Sequence, residues 1–565
     1  LSVIGFDGKI THHAPAKYRG MDVNQARQAV VDDLQTGGFL QKTEEYTNSV
    51  GHCYKCHTVI EPLLKDQWFV RMQPLAKRAI QAIEKDQIKF YPANKKDHAI
   101  LYLQNVRDWN ISRQIAWGIP IPAFRHADNP DEWIFSEQVD QEVIEQDGHK
   151  YVRDPDVFDT WFSSGQWPFV TLGYPDDPDY KKFYPTSVME TGGEIFNQWV
   201  LRMIMLGLYV TDQVPFTTVY IHGYVLSEDG TKMSKSLDNV INPMDEIAQY
   251  GSDALRMGLI SGRTAGTASA YSQEKIIGGR NFANKLWNIA RFTEGVLGDE
   301  FTASKPVAKQ AVDDWMLRQL NQGIHDITSH LENYRFNDAY EALYKLIWSD
   351  FADWYVEASK SHLNENVLAH CLKTILILAH PFAPFVTETI WQTLTWTDGL
   401  VMTADWPAQV SADDKLAEEF EEIMAIITEI RELKTRLHLR QNTLYHKSSH
   451  FISENADLII KLSGVFDVSQ VDSGQGLHLT QTKADTWLDI DHTTIREYLN
   501  GLNNQFQILQ SQLESLQKRL ANKSYLSKAP KQLIQESKQQ LKDVEQSIGT
   551  IQQQIQAAES SLSLK

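Results

Sequence analysis

The sequence predicts an α/β region, then an all-helical bundle, then a C-terminal antiparallel coiled-coil arm. Residues 46–300 alternate short runs of β-branched and aromatic residues with helical patterns, which is typical of α/β domains. Residues 301–410 change to long helical patterns whose apolar residues recur three to four positions apart, as in a helix bundle. From Ile495 onward the apolar residues alternate steps of four and three, and this heptad spacing predicts a coiled coil.

Length and composition narrow the class of protein. The 565 residues suffice for about three to five domains, and a content of 42% hydrophobic and 22% charged residues excludes a disordered or collagen-like chain. The longest apolar stretch, residues 199–210, is shorter than the roughly 20 apolar residues of a membrane span, so no span is predicted. Only three cysteines are present, which favours a reducing, cytoplasmic location. The net charge of −19 argues against a simple nucleic-acid coat protein, but not against an enzyme with a local basic surface.

The individual elements follow from local patterns. Residues 1–45 combine a short β-like stretch with an acidic amphipathic helix around 24–38, and the run 217–226 is typical of a buried strand. Helices are predicted over 313–334, 336–362 and 367–394. Residues 411–490 begin with one long helix up to about Leu439 and continue with short β-like pieces.

The last segment, residues 491–565, predicts two helices joined by a proline-containing turn at 525–530. From Arg496 to Lys565 there are nine Lys and Arg against six Asp and Glu, a surplus of three positive charges in an acidic chain. Two interpretations are open: a dimerisation coil, or a basic arm that contacts RNA backbone. The predicted seam consists of Ile495, Leu499, Leu502, Phe506, Leu509, Leu513, Leu516 and Leu520, followed by Ile534, Leu541, Val544, Ile548, Ile551 and Ile555.

The strongest chemical motif is the string KMSKS at 232–236. It follows the predicted strand 217–226 and a turn containing Gly230, where the backbone can bend sharply. Lysine ammonium groups suit phosphate oxygens, and one such charge about 4 Å from a phosphate oxygen is worth on the order of 4 kcal/mol at an effective dielectric near 20. Two isolated lysines would indicate only a solvated basic turn, whereas the full string after a strand indicates a phosphate-binding loop.

Further strings occur in a fixed order around this loop. They are RDWNISRQ (107–114), DTWFSS (159–164), WPF (167–169), RMIMLGL (202–208), YIHG (220–223), GRNFANKLWN (279–288), NYRFN (333–337) and HPFAPF (380–385). Through these strings the chain resembles the class I aminoacyl-tRNA synthetases, and among them most closely the valyl-tRNA synthetase family.

This resemblance implies a domain order. Residues 1–45 would be the tail of an editing insertion, 46–300 the second half of a Rossmann-like catalytic domain, 301–410 an anticodon-binding bundle, 411–490 a junction region, and 491–565 a tRNA-binding arm. The sequence contains no counterpart of the family's HIGH motif, so the resemblance implies the C-terminal two-thirds of a synthetase, without most of the editing domain. The implied reaction is the ATP-dependent activation of valine to valyl-adenylate and its transfer to tRNA(Val).

The resemblance also assigns ATP-site residues by position. Lys232 and Lys235 are expected to be catalytic, because they would neutralise the ATP phosphates while the α-phosphorus is attacked. Glu194 corresponds to the family acid, usually Asp, that accepts hydrogen bonds from the ribose hydroxyls. The end of the strand fits the place where adenine packs on backbone. The expected ATP-binding set is Glu194, His222, Gly223, Lys232, Ser234 and Lys235.

The amino-acid pocket is implied in the same way. Trp161 and Trp199 correspond to two tryptophans that wall the amino-acid side chain, and Ile195 lies beside them. Flat aromatic walls suit a small branched aliphatic group. The segment containing Trp109, Asn110 and Arg113 is expected to frame a domain junction and the acceptor end, without a catalytic step.

The expected cofactors are ATP and the Mg²⁺ that it carries, and no resident metal is expected. Cys53 and Cys56, flanked by His52 and His57, form half of a zinc knuckle. A structural zinc site needs four ligands, and the stretch 124–155, where some relatives carry a second cysteine pair, contains only histidines, so zinc is not expected in this protein.

Two other functions stay open from the sequence. A chain without HIGH could be a catalytically silent tRNA-binding protein, and the string WGIPIPAF (117–124) is closer to isoleucyl-tRNA synthetases. The expected partners are valine, ATP and tRNA(Val), with no membrane association. We expect a monomer whose coiled-coil arm folds back on itself.

Overall fold

The computed structural model describes residues 2–53 and 56–563, apart from the side chains at positions 236, 531 and 532. The chain divides into two compact units, Leu1–Tyr220 and Ile221–Lys565. Each unit has its own sheets and helices, and the boundary falls inside one strand.

The first unit combines short helices with small sheets. Its helices are α1 (Val23–Thr36), α2 (Met72–Glu84), α3 (Lys95–Gln104), α4 (Thr160–Ser164), α5 (Trp167–Val170), α6 (Pro178–Phe183) and α7 (Leu201–Thr211). Its strands are β1 (Phe69–Val70), β2 (Lys89–Tyr91), β3 (Trp109–Asn110), β4 (Ser112–Arg113), β5 (Ala123–His126), β6 (Trp133–Phe135), β7 (Val143–Gln146), β8 (His149–Arg153), β9 (Val157–Phe158), β10 (Thr186–Gly192) and β11 (Phe216–His222).

A three-stranded sheet with the order β10-β11-β2 forms the centre of this unit. Strands β11 and β2 run parallel, with Val219 opposite Phe90. Parallel strands need helices on their faces to bury both sides. Helix α3 contacts β2, and α2 and α7 pack on each other with buried residues such as Ile83 and Met203. A separate antiparallel sheet has the order β6-β5-β8-β7.

Helix α7 contains most of the longest apolar stretch of the sequence. A π-helical turn, Phe196–Val200, precedes it, and the helix ends at Asp212 in a left-handed conformation with φ 58°. Seven of its eleven residues are buried in the core of the unit. Within the described part of the chain, no helix has both the length and the apolarity needed to cross a membrane.

The second unit is predominantly helical. Its helices are α8 (Pro243–Tyr250), α9 (Ser252–Ile260), α10 (Gln273–Leu297), α11 (Ala311–Glu332), α12 (Phe336–Lys345), α13 (Glu357–Ser359), α14 (Glu365–Ala379), α15 (Pro384–Thr393), α16 (Asp414–Leu437), α17 (His450–Glu454), α18 (Ala456–Ser463), α19 (His492–Ala521), α20 (Lys523–Lys528) and α21 (Lys531–Ser563). Its strands are β12 (Val225–Leu226), β13 (Ser269–Ala270), β14 (Thr443–His446), β15 (Asp467–Gln470), β16 (Leu477–His478) and β17 (Thr486–Leu488).

The helix predicted over 367–394 is two helices, because α14 ends at Ala379 and α15 begins at Pro384. Pro381 has no N–H for a helical hydrogen bond, so the chain turns at this point. The turn is fastened to α9: the carboxylate of Asp253 accepts hydrogen bonds from the Phe385 and Val386 N–H groups at 3.2 and 2.7 Å. The HPFAPF string therefore joins the bundle to the helices that follow the KMSKS loop.

Helix α16 and a four-stranded sheet follow the bundle. Helix α16 ends at Leu437, close to the predicted Leu439, and buries Ile423, Ile427 and Ile430 in the same core as α11. The short β-like pieces form the sheet β15-β14-β17-β16, in which β14 and β15 run parallel.

The C-terminal arm is a hairpin of α19 and α21 that pack along each other. The predicted seam positions Leu502, Leu516 and Ile551 are buried. The seven-residue step between Ile534 and Leu541 contains buried Ser537, whose hydroxyl is paired with the Tyr525 hydroxyl at 2.9 Å. The observed α/β domain, helical bundle and coiled-coil arm confirm the predicted fold class.

Candidate functional site

Helix α4 in the first unit carries Trp161. The helix has only five residues, and Asp159 caps its N-terminus by accepting a hydrogen bond from the Trp161 N–H at 3.2 Å. Asp159 is 4% exposed. So short a helix has almost no stability of its own, and its position therefore depends on what holds its two ends.

The second predicted wall of the amino-acid pocket, Trp199, is hydrogen-bonded to the end of α4. Trp199 belongs to the π-helical turn before α7, and its indole N–H donates to the Ser164 carbonyl oxygen at 3.0 Å. Ser164 is the last residue of α4, so this bond joins the elements that carry Trp161 and Trp199. Both indoles and the neighbouring Ile195 are half-buried, so part of each side chain remains accessible to a ligand.

A cavity of about 520 Å³ is lined in part by Trp161, Trp109 and Arg202. The Trp109 indole N–H and the Arg113 guanidinium donate to Oδ2 of Asp159 at 2.9 and 2.8 Å. Sequence reasoning identified the tryptophans but missed the link through Asp159 and Arg202. The one signal for Arg202 was its position as the only charged residue in the apolar run 199–210.

Glu194 lies immediately after β10, in a 3-10 turn formed by Gly193–Ile195. Its side chain is exposed. A carboxylate beyond the end of a strand in an α/β sheet is well placed to accept hydrogen bonds from a bound ligand.

The KMSKS loop lies in the second unit and starts from β12, which pairs in parallel with β13. The chain turns at Gly230, where φ is +81°. The carboxylate of Asp229 accepts hydrogen bonds from the Ser227 hydroxyl at 2.6 Å and from the Thr231 hydroxyl at 2.9 Å. These bonds, the one from Ser227 first, hold the pKa of Asp229 below its ordinary value. The turn before the lysines is thus closed by its own side chains.

Asn239 holds the loop from its other end. Its Oδ1 accepts the Ser234 N–H at 2.8 Å, and its Nδ2 donates to the Thr231 hydroxyl at 3.1 Å. Asp238, next to Asn239, adopts the left-handed conformation with φ 51°. Aspartate tolerates this conformation better than most residues, so the loop keeps the turn that glycine would give.

The two lysines of the loop both point to solvent-accessible space. Lys232 is exposed, and its ammonium lies 5.0 Å from the centre of the Tyr224 ring. Lys235 is also exposed and begins a 3-10 turn that ends at Leu237. Two cationic groups on one short loop can bind a polyphosphate.

Strand β11 ends at His222, and Gly223 separates it from β12. The predicted single strand 217–226 is therefore two strands. A Cβ atom on Gly223 would lie 1.8 Å from the Thr267 carbonyl oxygen, so only glycine lets the two backbone segments approach this closely.

The predicted site residues are distributed over both units. The first unit holds Trp161, Glu194, Ile195 and Trp199, and the second holds His222, Gly223, Lys232, Ser234 and Lys235. Within the first unit a hydrogen bond joins the turn that carries Trp199 to the last residue of the helix that carries Trp161. Within the second unit the structure places the lysines on one loop.

The cysteine turn at 52–59 is closed by a bridge between His52 and Val59, and Tyr54 and Lys55 lie outside the described residues. The Cys56 thiol bonds to the Thr58 hydroxyl at 3.3 Å. This bond and further hydrogen bonds from the Thr58 backbone and Cys53 lower the pKa of Cys56 to about 7. Among residues 2–53 and 56–563, no three His, Cys, Asp or Glu side chains are grouped as a metal ion would require.

Cys56 should therefore react as a thiolate near neutral pH. Its alkylation by iodoacetamide is expected to be half-maximal near pH 7, because the thiolate, which reacts, predominates above the pKa of about 7. Cys371 is fully buried and its thiol pKa is raised by desolvation, so it should stay unmodified in the folded protein. Mass spectrometry of peptides alkylated at a series of pH values on both sides of neutrality measures the extent of modification of Cys56 and of Cys371.

A Thr58→Val variant is the matched control for this measurement. Loss of the hydroxyl should move the half-maximal pH of Cys56 upward towards 9. A wild-type profile centred near pH 9 would contradict the geometry of the turn.

Three family models match the chain. Residues 18–271 match tRNA synthetases class I (I, L, M and V), residues 313–448 match the anticodon-binding domain of tRNA ligase, and residues 495–557 match the valyl tRNA synthetase tRNA binding arm. The three matches lie in the order in which the α/β region, the bundle and the arm occur.

Curated relatives match along nearly the whole chain. It is 38% identical to the valine–tRNA ligase of Carboxydothermus hydrogenoformans over 562 aligned positions, and the match covers 94% of this chain and 63% of that protein. Identity to the valine–tRNA ligase of Thermotoga maritima is 38% over 542 aligned positions, and the match covers 92% of this chain and 62% of that protein. Identity to the Bacillus subtilis valine–tRNA ligase is 35% over 568 aligned positions, and the match covers 94% of this chain and 63% of that protein. The chain thus spans a little under two thirds of the length of these relatives.

Proposed function

We propose that this chain, which matches the class I tRNA synthetase model and the valyl tRNA-binding arm model, functions as a valine–tRNA ligase. In the proposed reaction the valine carboxylate attacks the α-phosphorus of ATP, valyl-adenylate forms and pyrophosphate leaves. A ribose hydroxyl of tRNA(Val) then attacks the activated carbonyl, and AMP leaves.

The observation that carries this proposal is the pair of tethered tryptophans in the first unit. The Trp199 indole N–H donates to Ser164, the last residue of the helix that carries Trp161, and Ile195 lies in the 3-10 turn before the π-helical turn of Trp199. Two flat aromatic rings and a branched aliphatic side chain suit a small branched amino acid such as valine. These three residues are proposed as the amino-acid pocket.

The KMSKS loop is proposed as the phosphate-binding element. Lys232 and Lys235 would balance the charge that develops on the leaving pyrophosphate, with Ser234 beside them. The hydrogen bonds made by Asp229 and Asn239 support this role. A loop that is fixed at both ends holds its lysines in place before ATP binds, so less of the loop has to become ordered on binding.

ATP would contact the remaining predicted residues. Glu194 is proposed to accept hydrogen bonds from the ribose hydroxyls, and the backbone at His222 and Gly223 to pack against adenine. Phosphate oxygens are ligands that Mg²⁺ prefers, so the cation would enter with ATP and neutralise its phosphates.

Binding of tRNA is proposed for the helical parts. Residues 301–410 would bind the anticodon loop and residues 491–565 would contact tRNA backbone, with 411–490 as the junction between them. Residues 46–300 would form the catalytic part and residues 1–45 the tail of the editing insertion. Between Lys518 and Lys531 the arm carries five Lys and Arg and no Asp or Glu, a composition that suits phosphate contacts. Because the two arm helices pack on each other, we further propose that the enzyme is a cytoplasmic monomer.

The test is pyrophosphate exchange by the protein expressed from its complete reading frame. Labelled pyrophosphate should enter ATP when valine is added, and far more slowly with isoleucine. Exchange that occurs with isoleucine and not with valine would mean that isoleucine is the substrate. Binding of tRNA without exchange for any amino acid would indicate a catalytically silent tRNA-binding protein.

A further inference from the structure

The carboxylate of Asp159 connects four elements of the first unit. Its Oδ1 caps α4 through the Trp161 N–H, while its Oδ2 accepts from Trp109 on β3 and from Arg113 on β4. The Arg202 guanidinium, on α7, lies 3.8 Å from the same oxygen. Burying a carboxylate is costly unless it is paired and hydrogen-bonded, and both requirements are met at Asp159.

Arg202 is held by stacking as well as by charge. Its guanidinium carbon lies 3.7 Å from the centre of the Trp109 ring, a cation–π contact in which the planar group covers the indole. The side chain is 14% exposed, and burial lowers its pKa, opposed by the nearby carboxylate of Asp159. Lysine cannot reproduce this planar contact.

The other end of α4 is held independently. Trp199 donates to the Ser164 carbonyl oxygen, and a Cβ atom on the next residue, Gly165, would meet the Leu206 side chain at 2.9 Å. Helix α4 is therefore fixed at its first turn by Asp159 and at its last turn by the Trp199 indole and α7. Trp161 has little freedom once these contacts are made.

We propose that Asp159 and Arg202 are positioning residues that set Trp161 as a wall of the amino-acid pocket. This inference rests on the proposed function, because it assigns the pocket to valine. Neither side chain needs to contact the substrate. Asp159 acts through the Trp161 backbone, and Arg202 acts through Asp159 and the Trp109 ring.

Two conservative variants test the inference. Asp159→Asn keeps an oxygen that can cap α4, since asparagine caps about as well as aspartate, but it loses the charge that holds Arg113 and Arg202. Arg202→Lys keeps the charge but loses the planar stack on Trp109. In both variants the KM for valine should rise about tenfold or more in pyrophosphate exchange, while the KM for ATP stays within about twofold of wild type.

Asp156→Asn is the matched control. Asp156 is similarly buried, at 5% exposure, and is hydrogen-bonded by Lys65 and Gln114, both at 2.7 Å. It makes none of the α4 contacts described for Asp159. A purely structural role of Asp159 would give both Asp→Asn variants the same profile, with a lower Tm and unchanged KM values.

The outcomes separate the inference from the proposed function. Wild-type protein without valine-dependent exchange removes the proposed function and this inference together. If the wild-type protein shows valine-dependent exchange but the variants raise the KM for valine and the KM for ATP equally, or raise neither, the inference is overturned. The proposed function is unaffected by that result. If circular dichroism shows that Asp159→Asn does not fold, the KM values of Arg202→Lys decide whether the inference holds. If neither variant folds, the cluster is a folding determinant and the inference is overturned.

Discussion

Replacing Lys235 by alanine is expected to lower valine-dependent pyrophosphate exchange by about a hundredfold or more, the usual effect of removing one group that stabilises transition-state charge. Lys235 is exposed on a loop whose shape is set by Asp229 and Asn239, so its removal should leave the loop intact. The loss should therefore appear in kcat of the exchange reaction. Exchange kinetics of the purified variant at saturating valine and ATP measure it.

Lys305→Ala is the control for this substitution. Lys305 is likewise an exposed lysine outside helices and strands in the second unit, but it lies in the segment before α11. It should retain wild-type exchange and the same Tm as Lys235→Ala. Normal exchange by Lys235→Ala would mean that the KMSKS loop does not bind the phosphates, and the proposed phosphate site would have to be abandoned.

The sequence predicted those features that depend on local spacing. The heptad positions of α19 and α21 and the long helices of the bundle all follow from periodicities within one segment. The break at Pro381 in the predicted helix 367–394 also depends on local sequence, because proline disrupts helical hydrogen bonding. The strong apolar pattern on either side of Pro381 nevertheless predicted one continuous helix.

Features that depend on distant residues were not predictable. Asp159 meets Trp109 and Arg202 only after β3, α4 and α7 pack together, and no spacing in the chain indicates this. Ser537 lies at a seam position that the apolar pattern leaves empty, and its partner Tyr525 is on a different helix. The resemblance implied the tryptophans of the proposed pocket one by one, but the hydrogen bond that joins the elements carrying them appeared only in the structure.

Gly223 is another residue whose role depends on a distant part of the chain, and its replacement is the second substitution with a large expected effect. Its backbone passes so close to Thr267 that a Cβ atom would lie 1.8 Å from the carbonyl oxygen and 2.2 Å from the carbonyl carbon. Both obstructing atoms are backbone, so they cannot move aside as a side chain would. Gly223→Ala should therefore displace the segment 264–270 and lower the free energy of unfolding by about 3 kcal/mol.

The free energies of unfolding of Gly223→Ala and Gly278→Ala, both measured in urea, are compared. The comparison separates the effect of the close approach at Gly223 from the general effect of adding a methyl group. Gly278 lies within α10, and apart from its chain neighbours and its own helix backbone no described atom lies within 4 Å of the position a Cβ would take. Alanine in a helix interior should raise stability by about 0.5–1 kcal/mol, so the two substitutions are expected to have opposite signs. Because Gly223 is also proposed to pack against adenine, its variant should raise the KM for ATP more than that for valine. Equal stabilities of the two variants would show that the strand end accommodates a Cβ, and the close approach to Thr267 would then not be what requires glycine at position 223.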